Sequence, residues 1–208
     1  MAGKTKTLND AFYETLKDVY YAEKQSVKAL KKAAKFAEND ALRQAFETHA
    51  EESAGQVERL TQVFEIIGKP ARAKTCEAMQ GIVSEMEEDL EEFAGSPAAD
   101  AVLAACAQAV EHYEIARYGT LKTWAGQLGY ADAAALLDET LEEEKKTDAL
   151  LSEIAETLNS EADQEGEDDA EDDESEDEGD DAETGKDGGK TTSKGRAGAK
   201  AKGTRKAA

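Results

Sequence analysis

The chain has 208 residues, of which 39% are hydrophobic, and it carries a formal net charge of −22. No run of the sequence approaches the roughly 18 apolar residues of a transmembrane helix, so we expect no membrane span. The first residues lack the apolar core of a secretory signal, and Cys76 and Cys106 fit no metal-binding or redox spacing. These features predict a cytoplasmic protein with reduced thiols.

Charge divides the chain into two regions. Residues 161–187 contain 17 of the 47 acidic residues, and 8 of the 25 basic residues lie from Lys186 onward. The region 161–208 has no aromatic residue, so it cannot bury the surface that offsets the entropy of ordering. We therefore predict a folded domain over 1–160 and a disordered tail over 161–208. The tail has two blocks, an acidic one over 161–185 and a basic one, rich in Gly, Lys and Ala, over 186–208.

The first 160 residues show apolar residues at helical spacing almost throughout. Phe12 and Leu16 belong to a stripe of three-and-four spacing that predicts a first long helix. A break at 39–40 separates it from a second long helix, which ends at Gly68. The remaining predicted helices span about 75–93, 98–128 and 131–158.

Four of the predicted helices are long and one is short. Short turns join the first long helix to the second and the third to the fourth, which predicts two antiparallel hairpins. The segment between the hairpins carries the short helix and must cross the bundle. This pattern predicts an all-α, ferritin-like four-helix bundle with an extra short helix in the crossover. We expect Asn9 or Asp10 to cap the first helix.

An internal repeat relates the two hairpins at an offset of 91 residues. At this offset Glu23 corresponds to Glu114. With a slip of one residue in the turn, the offset becomes 92 and Glu52 corresponds to Glu144. Because the repeated positions are carboxylates, the pattern indicates a site that the four helices share.

Each long helix thus offers one acidic side chain near its middle, and three of them offer a polar neighbour one turn away. Four inward carboxylates with companions at this spacing form the di-iron and di-manganese sites of helical bundles. Carboxylate and imidazole ligands suit iron or manganese, and we predict two such ions per chain. The expected ligands are Glu23, Glu52, Glu114 and Glu144, with His49, Glu111 and Asp148 as auxiliary ligands.

A second interpretation of these residues stays open. In so acidic a chain, a segment such as "LEEEKKTD" can form a solvated helix face that binds no metal. If the carboxylates do converge, their mutual repulsion should raise their pKa values. His112 points about 100° away from Glu111 on a helix, so we expect it outside the site, with Tyr113 and Tyr118 packed nearby.

Segments that include "TLNDAFYETLKDVYYAEKQ", "FETHAEESAGQVERLTQVFEIIGKP" and "AVEHYEIARYGTLKTWA" resemble the YciE/YciF-type ferritin-like family of bacteria. The resemblance covers about residues 5–158 and implies a ferritin-like fold, a homodimer and a link to general or osmotic stress. The resemblance also implies that the seven residues named above as ligands correspond to the family's own site positions. Unlike better-understood ferritin-like enzymes, the chain lacks Glu-x-x-His, because Gly55 and Thr147 stand where those histidines would be.

Two functional hypotheses follow. The first is a metal-binding stress protein with oxidase or peroxide-scavenging chemistry at the dinuclear site. The second is a non-enzymatic stress protein that binds partners through its surface, or nucleic acid through the basic block 186–208. The neighbouring acidic block competes with phosphates, so we expect such nucleic-acid binding to be weak and salt-sensitive. The metal content of the purified protein separates the two hypotheses.

Overall fold

The computed structural model describes the backbone of residues 5–176 and the side chains of residues 5–164. This part of the chain contains five α-helices and no strand, as the sequence predicted. None of these helices combines the length and the apolar character needed to cross a membrane. The helices are α1 (Leu8–Phe36), α2 (Asp40–Ile66), α3 (Glu77–Glu92), α4 (Ala99–Gln127) and α5 (Ala131–Glu176).

The four long helices form the predicted bundle. α1 packs against α2 and α4 against α5, each pair joined by a connection of a few residues that reverses the chain. The two hairpins meet where α2 contacts α5 and α1 contacts α4. The short α3 lies in the crossover and packs on α4 and α1. The ferritin-like arrangement with an extra crossover helix is therefore confirmed.

Two separate apolar clusters form most of the interior. One cluster contains Phe12, Leu16 and Phe64, and lies where α1 begins and α2 ends. The other contains Phe46 and Leu103, and lies where α2 and α4 begin. On each long helix, the buried residues between the two clusters include polar or charged side chains. We call this middle section of the interior the polar layer.

The cap of α1 differs from the prediction. Thr7 is the N-cap, because its Oγ1 accepts a hydrogen bond from the backbone N of Asp10 at 3.2 Å. In return, Asp10 Oδ2 accepts from the backbone N of Thr7 at 2.9 Å, which completes a capping box. The expectation that Asn9 or Asp10 is the cap was therefore wrong, since Asp10 occupies the third position of the helix.

α5 extends beyond residue 158, where the sequence predicted its end, and through the start of the predicted tail to Glu176. Among the described side chains, Leu158 is the last buried residue. The segment that follows mixes Glu and Ala, which favour a helix, with Asp residues and Gly166, which do not, so helix propensity alone does not account for the extension. Residues 177–208, which include the basic block 186–208, lie outside the described residues.

Gly129 ends α4 in a conformation that favours glycine. Its φ is 81°, its N donates to the carbonyl of Gly126 at 3.1 Å, and Tyr130 N donates to the carbonyl of Ala125 at 2.9 Å. This is a Schellman motif, in which a left-handed residue satisfies the last carbonyls of the helix.

Replacing Gly129 with Ala is expected to lower the free energy of unfolding by about 1 kcal/mol, since L residues are strained at this φ. Apart from the adjoining backbone, no described atom lies within 4 Å of an added Cβ at Gly129 or at Gly126, so clashes with the rest of the protein make no contribution. Gly126→Ala, inside α4, is expected to raise the free energy of unfolding by up to about 1 kcal/mol. Urea unfolding measures both effects, and changes of the same sign would contradict this account.

Candidate metal centre

The polar layer consists of buried side chains from all four long helices. They recur at spacings of three or four residues, so each helix directs them toward the interior along with its apolar residues. Because their neighbours above and below are apolar, these polar groups are removed from water. The members are Glu23 and Ser26 on α1, His49, Ser53 and Gln56 on α2, Glu111 and Glu114 on α4, and Thr140, Glu144 and Thr147 on α5.

Four of these side chains form a compact group of potential ligands. His49, Glu111, Glu114 and Glu144 each offer one donor atom, and these atoms lie within 4.8 Å of one another. His49 Nε2 is 3.1 Å from Glu111 Oε1 and 3.4 Å from Glu144 Oε2. Neither contact is aligned as a hydrogen bond. We call these four residues the ligand group.

The carboxylates of the ligand group have no hydrogen-bond partner among the described residues. This holds for both oxygens of Glu111, Glu114 and Glu144, six atoms in all. Burial, followed by repulsion from Glu23 and Glu144, raises the pKa of Glu114 well above its usual range. Burial and repulsion from Glu23 do the same to the pKa of Glu144. The expectation that converging carboxylates have raised pKa values is thus confirmed for these residues.

His49 is the cation of the group when no metal is bound. Burial lowers its pKa, but contacts with Glu111 and Glu52 and the attraction of nearby carboxylates outweigh burial and raise the pKa to about 11. Its Nδ1 lies 3.4 Å from Glu52 Oε2 and 3.2 Å from the hydroxyl of Thr147. These contacts hold the ring so that Nε2 faces the carboxylates, which is the orientation a metal ligand needs.

Glu23 lies beside the ligand group and is held by a tyrosine. Its Oε1 accepts a hydrogen bond of 2.5 Å from the hydroxyl of Tyr118, and both side chains are fully buried. Burial raises the pKa of Glu23 to about 7, although the Tyr118 hydrogen bond acts in the opposite direction. The sequence predicted that Tyr118 packs nearby, but it gave no sign of this hydrogen bond.

Two of the seven predicted ligands lie at the edge of the site. The side chain of Glu52 is 33% exposed and contacts Nδ1 of His49. Glu111 and Glu144 lie next to Nε2, the other nitrogen of the ring. Asp148 Oδ1 lies 3.1 Å from Nε2 of His112, whose side chain is exposed. The structure therefore brings together His49, Glu111, Glu114 and Glu144, keeps Glu23 buried in the same layer, and leaves Glu52 and Asp148 outside the group.

Comparison with known proteins places the chain in a family. The family model described as "Domain of unknown function (DUF892)" matches residues 7–164. The chain belongs to the DUF892 family. This match covers the whole bundle, including every member of the ligand group.

This DUF892 chain is similar to Protein YciF of Escherichia coli (strain K12), with 51% identity over 152 residues, 72% of this chain and 91% of YciF. The crystal structure of the E. coli stress protein YciF matches with a TM-score of 0.72 and 48% identity, covering 75% of this chain and 99% of that one. YcfI from Rhodopseudomonas palustris matches with a TM-score of 0.70 and 42% identity, covering 73% and 97%. The predicted resemblance to the YciE/YciF-type family is confirmed.

The helix register of the DUF892 chain explains the position of Glu52. α1 and α4 begin 91 residues apart, and so do α2 and α5, so the slip to an offset of 92 was wrong. At a constant offset of 91, Glu144 corresponds to Ser53, which is also buried. One residue along a helix turns a side chain by about 100°, which moves Glu52 from the interior to the edge.

Five polar members of the layer were not predicted from the sequence, namely Ser26, Ser53, Gln56, Thr140 and Thr147. The hydroxyls of Ser26 and Ser53 and the Oε1 of Gln56 are buried without a hydrogen-bond partner among residues 5–164. Gln56 Nε2 donates to Glu143 at 3.1 Å, which fixes the direction of its amide. The available signal was spacing, because Ser26 follows Glu23 by three residues, and Ser53 follows His49 by four.

Proposed function

We propose that this DUF892 protein is a stress-associated metal-binding protein with a dinuclear iron or manganese site in the polar layer. The observation that carries the proposal is the ligand group, in which three carboxylates without hydrogen-bond partners among the described residues and one imidazole each offer a donor atom, and these four atoms lie within 4.8 Å of one another. Oxygen donors with an imidazole suit iron and manganese. The description of the similar E. coli YciF as a stress protein supports the association with stress.

The charge of the layer also favours cations. Glu23, Glu111, Glu114 and Glu144 are all buried, and His49 is the one buried base among the described side chains. If all four carboxylates ionise, a single imidazolium leaves the layer strongly negative, which is costly in an apolar interior. Two divalent ions would balance the four carboxylates and leave His49 neutral, the form that binds metals.

The surroundings of the site suit chemistry with small molecules. Bound iron or manganese would supply redox chemistry toward oxygen or peroxide, and we propose oxidase or peroxide-scavenging activity on this basis. The apolar clusters on either side limit the access of water. A groove of ≈ 310 Å³ between α2 and α5 has His49 among its lining residues, together with Glu52 and Thr147, and offers small molecules a route to the ring.

Metal titration tests the proposal. The metal-free protein is expected to bind two Mn²⁺ or Fe²⁺ ions per chain under anaerobic conditions, measured by calorimetry and by elemental analysis after dialysis. Glu114→Gln and Glu144→Gln keep the side-chain shape but remove a charged ligand, so we expect each to weaken binding at least about 10-fold. Glu142→Gln changes an exposed residue of α5, the helix that carries Glu144, and this variant should bind metal as the wild type does. A wild type that binds neither ion would overturn the proposal.

We also propose that two copies of the chain associate through the outer face of the α1–α2 hairpin. This face carries a row of exposed lysines beside a row of exposed glutamates, and none of them has an ion-pair partner among residues 5–164. Two shallow grooves of ≈ 420 Å³ each lie between the rows. The rows are Lys24, Lys28, Lys31 and Lys35 on α1, and Glu47, Glu51 and Glu58 on α2.

The two rows make the face complementary to itself. A twofold axis between the helices sets the lysines of one copy over the glutamates of the other, as an isologous dimer requires. Small side chains such as Ala34 and Ala50 in one groove, and Val27 and Ala54 in the other, allow close approach of the second copy.

Charge reversal tests the dimer. Lys28→Glu with Lys31→Glu is expected to make the protein monomeric in sedimentation experiments at low salt, as is Glu51→Lys with Glu58→Lys. An equimolar mixture of the two double variants should restore a dimer, because opposite charges then face each other again. The same reversal at Glu85 and Glu88, which are exposed on α3, should leave the dimer intact. A monomeric wild type, or a mixture that stays monomeric, would contradict the proposal.

Nucleic-acid binding by the basic block 186–208 stays a prediction, because the block lies outside the described residues. It represents the alternative, non-enzymatic function. A gel shift at low salt, with and without residues 161–208, tests it, and equal shifts for the two proteins would reject it.

A further inference from the structure

We propose that Tyr118 is a positioning residue that directs Glu23 toward the second metal ion. The inference rests on the proposed dinuclear site and assigns separate roles to two residues outside the ligand group. Glu23 supplies a carboxylate oxygen to the second ion, and the hydroxyl of Tyr118 fixes the orientation of that carboxylate.

The hydrogen bond leaves one oxygen of Glu23 available. Tyr118 donates to Oε1 at 2.5 Å, whereas Oε2 is buried and has no partner within the described part of the chain. A buried carboxylate oxygen without a partner is destabilising, so the site gains stability when a cation or a proton binds there. With Oε1 engaged by Tyr118, Oε2 is the oxygen of Glu23 that is free of hydrogen bonds among the described residues and is available to a metal.

Glu23 faces the ligand group from α1. Repulsion from Glu23 is the strongest charge effect on the pKa of Glu114 and also on that of Glu144, as expected for buried carboxylates on neighbouring helices. Tyr118 follows Glu114 by four residues on α4, so the two side chains lie on the same face one turn apart. The tyrosine hydroxyl therefore joins α4 to α1 directly beside the ligand group.

The ligand count supports this division. The ligand group offers four donor atoms within 4.8 Å of one another, which suits one ion, and a second ion would need a further donor. Among the described side chains, Glu23 is the remaining fully buried carboxylate of the polar layer. It is therefore the residue that can complete a second site.

The hydroxyl and the ring of Tyr118 have different roles in the structure. The ring belongs to the apolar cluster that contains Phe12 and Leu16, and it contributes to the core in the way a phenylalanine would. Tyr118→Phe thus removes the hydrogen bond to Glu23 and keeps the packing. Tyr113 on the same helix is a matched control, because its hydroxyl contacts the Sγ of Cys76 at 2.9 Å instead of a carboxylate.

Stepwise titration of the metal-free protein with Mn²⁺, followed by calorimetry and elemental analysis, tests the inference. Tyr118→Phe is expected to weaken binding of the second ion about 10- to 100-fold and to leave the first ion unchanged. Tyr113→Phe should bind both ions as the wild type does. Glu23→Gln should also lose the second ion, and adding Tyr118→Phe to it should cause no further loss, because both act at the same position.

The outcomes distinguish this inference from the proposed function. If the wild type and Tyr118→Phe both bind two ions with equal affinity, the positioning role is refuted and the dinuclear site stands. Equal weakening of both ions in Tyr118→Phe would also refute it, since that result indicates a general structural effect. If the wild type binds no metal, the proposed function fails as well.

Discussion

Addition of Mn²⁺ to the metal-free protein near pH 7 is expected to raise its free energy of unfolding by about 4 kcal/mol, when free metal exceeds the dissociation constant of one site about 1,000-fold. The effect is large because the buried carboxylates of the ligand group have no hydrogen-bond partner among the described residues. The unfolded chain exposes the same carboxylates to water and has no assembled site, so it binds the ion weakly. Nearly all of the free energy of metal binding therefore stabilises the folded state relative to the unfolded chain.

Urea unfolding with and without Mn²⁺ measures this stabilisation. Glu114→Gln lacks one charged ligand of the group, so metal should stabilise it much less. Glu142→Gln, whose exposed side chain pairs with Lys145, should respond as the wild type does. Equal stabilisation of all three proteins would mean that the metal binds elsewhere on this acidic chain.

The metal-free protein is expected to lose about 3 kcal/mol or more of its unfolding free energy as the pH rises from 4.5 to 9. Burial raises the pKa of Glu23 from 4.5 to about 7 in the folded state, and those of Glu114 and Glu144 well above 4.5. Above pH 4.5 the folded protein thus binds more protons than the unfolded chain, so stability falls as the pH rises. The contribution of Glu23 alone is complete below pH 4.5 and is lost once the pH passes about 7.

Titration of His49 also lowers the free energy of unfolding as the pH rises, but over a higher pH range. Its pKa is raised from 6.5 to about 11, so its contribution is present below pH 6.5 and is lost as the pH rises toward 11. Glu52 has a lowered pKa, mainly through its contact with His49, and acts in the opposite direction, but its side chain is partly exposed and its effect is small.

Urea unfolding of the metal-free protein at several pH values checks this prediction. Glu23→Gln removes one titrating group, so its stability should change less between pH 4.5 and 7 than that of the wild type. Glu142→Gln should keep the slope of the wild type. A stability that rises over this range would show that the carboxylates are not buried in the folded protein.

Most of the helical architecture could be predicted because each long helix carries apolar residues at three-and-four spacing on both sides of its polar middle. Phe12 and Leu16 are buried as that spacing requires, and Gly129 ends α4 where the sequence placed the end. The spacing also fixes which side of a helix faces inward. For this reason Glu23 and Glu114, which lie on that side, could be recognised as candidates for a buried site.

The remaining features depend on information that spacing does not contain. The choice between Glu52 and Ser53 on α2 rests on a single residue of register, and each residue turns a helix by about 100°. The hydrogen bond from Tyr118 to Glu23 depends on side-chain rotamers and on how closely α1 and α4 approach. The end of α5 at Glu176 could not be predicted, because the sequence after Leu158 has no apolar periodicity that would mark where the helix stops.

The division of the interior by the polar layer has a consequence for cooperativity. The two apolar clusters each stabilise one end of the bundle, and a smaller cluster around Met79 packs α3 on the middle of α1 and α4, whereas the middle of α2 and α5 around His49 and Glu144 depends on charge compensation. In metal-free protein, amide hydrogen exchange among the buried turns should therefore be fastest in the middle of α2 and α5, a reversal of the usual fraying from the ends. A bound cation would couple the two ends of the bundle, so that they unfold together in one cooperative step.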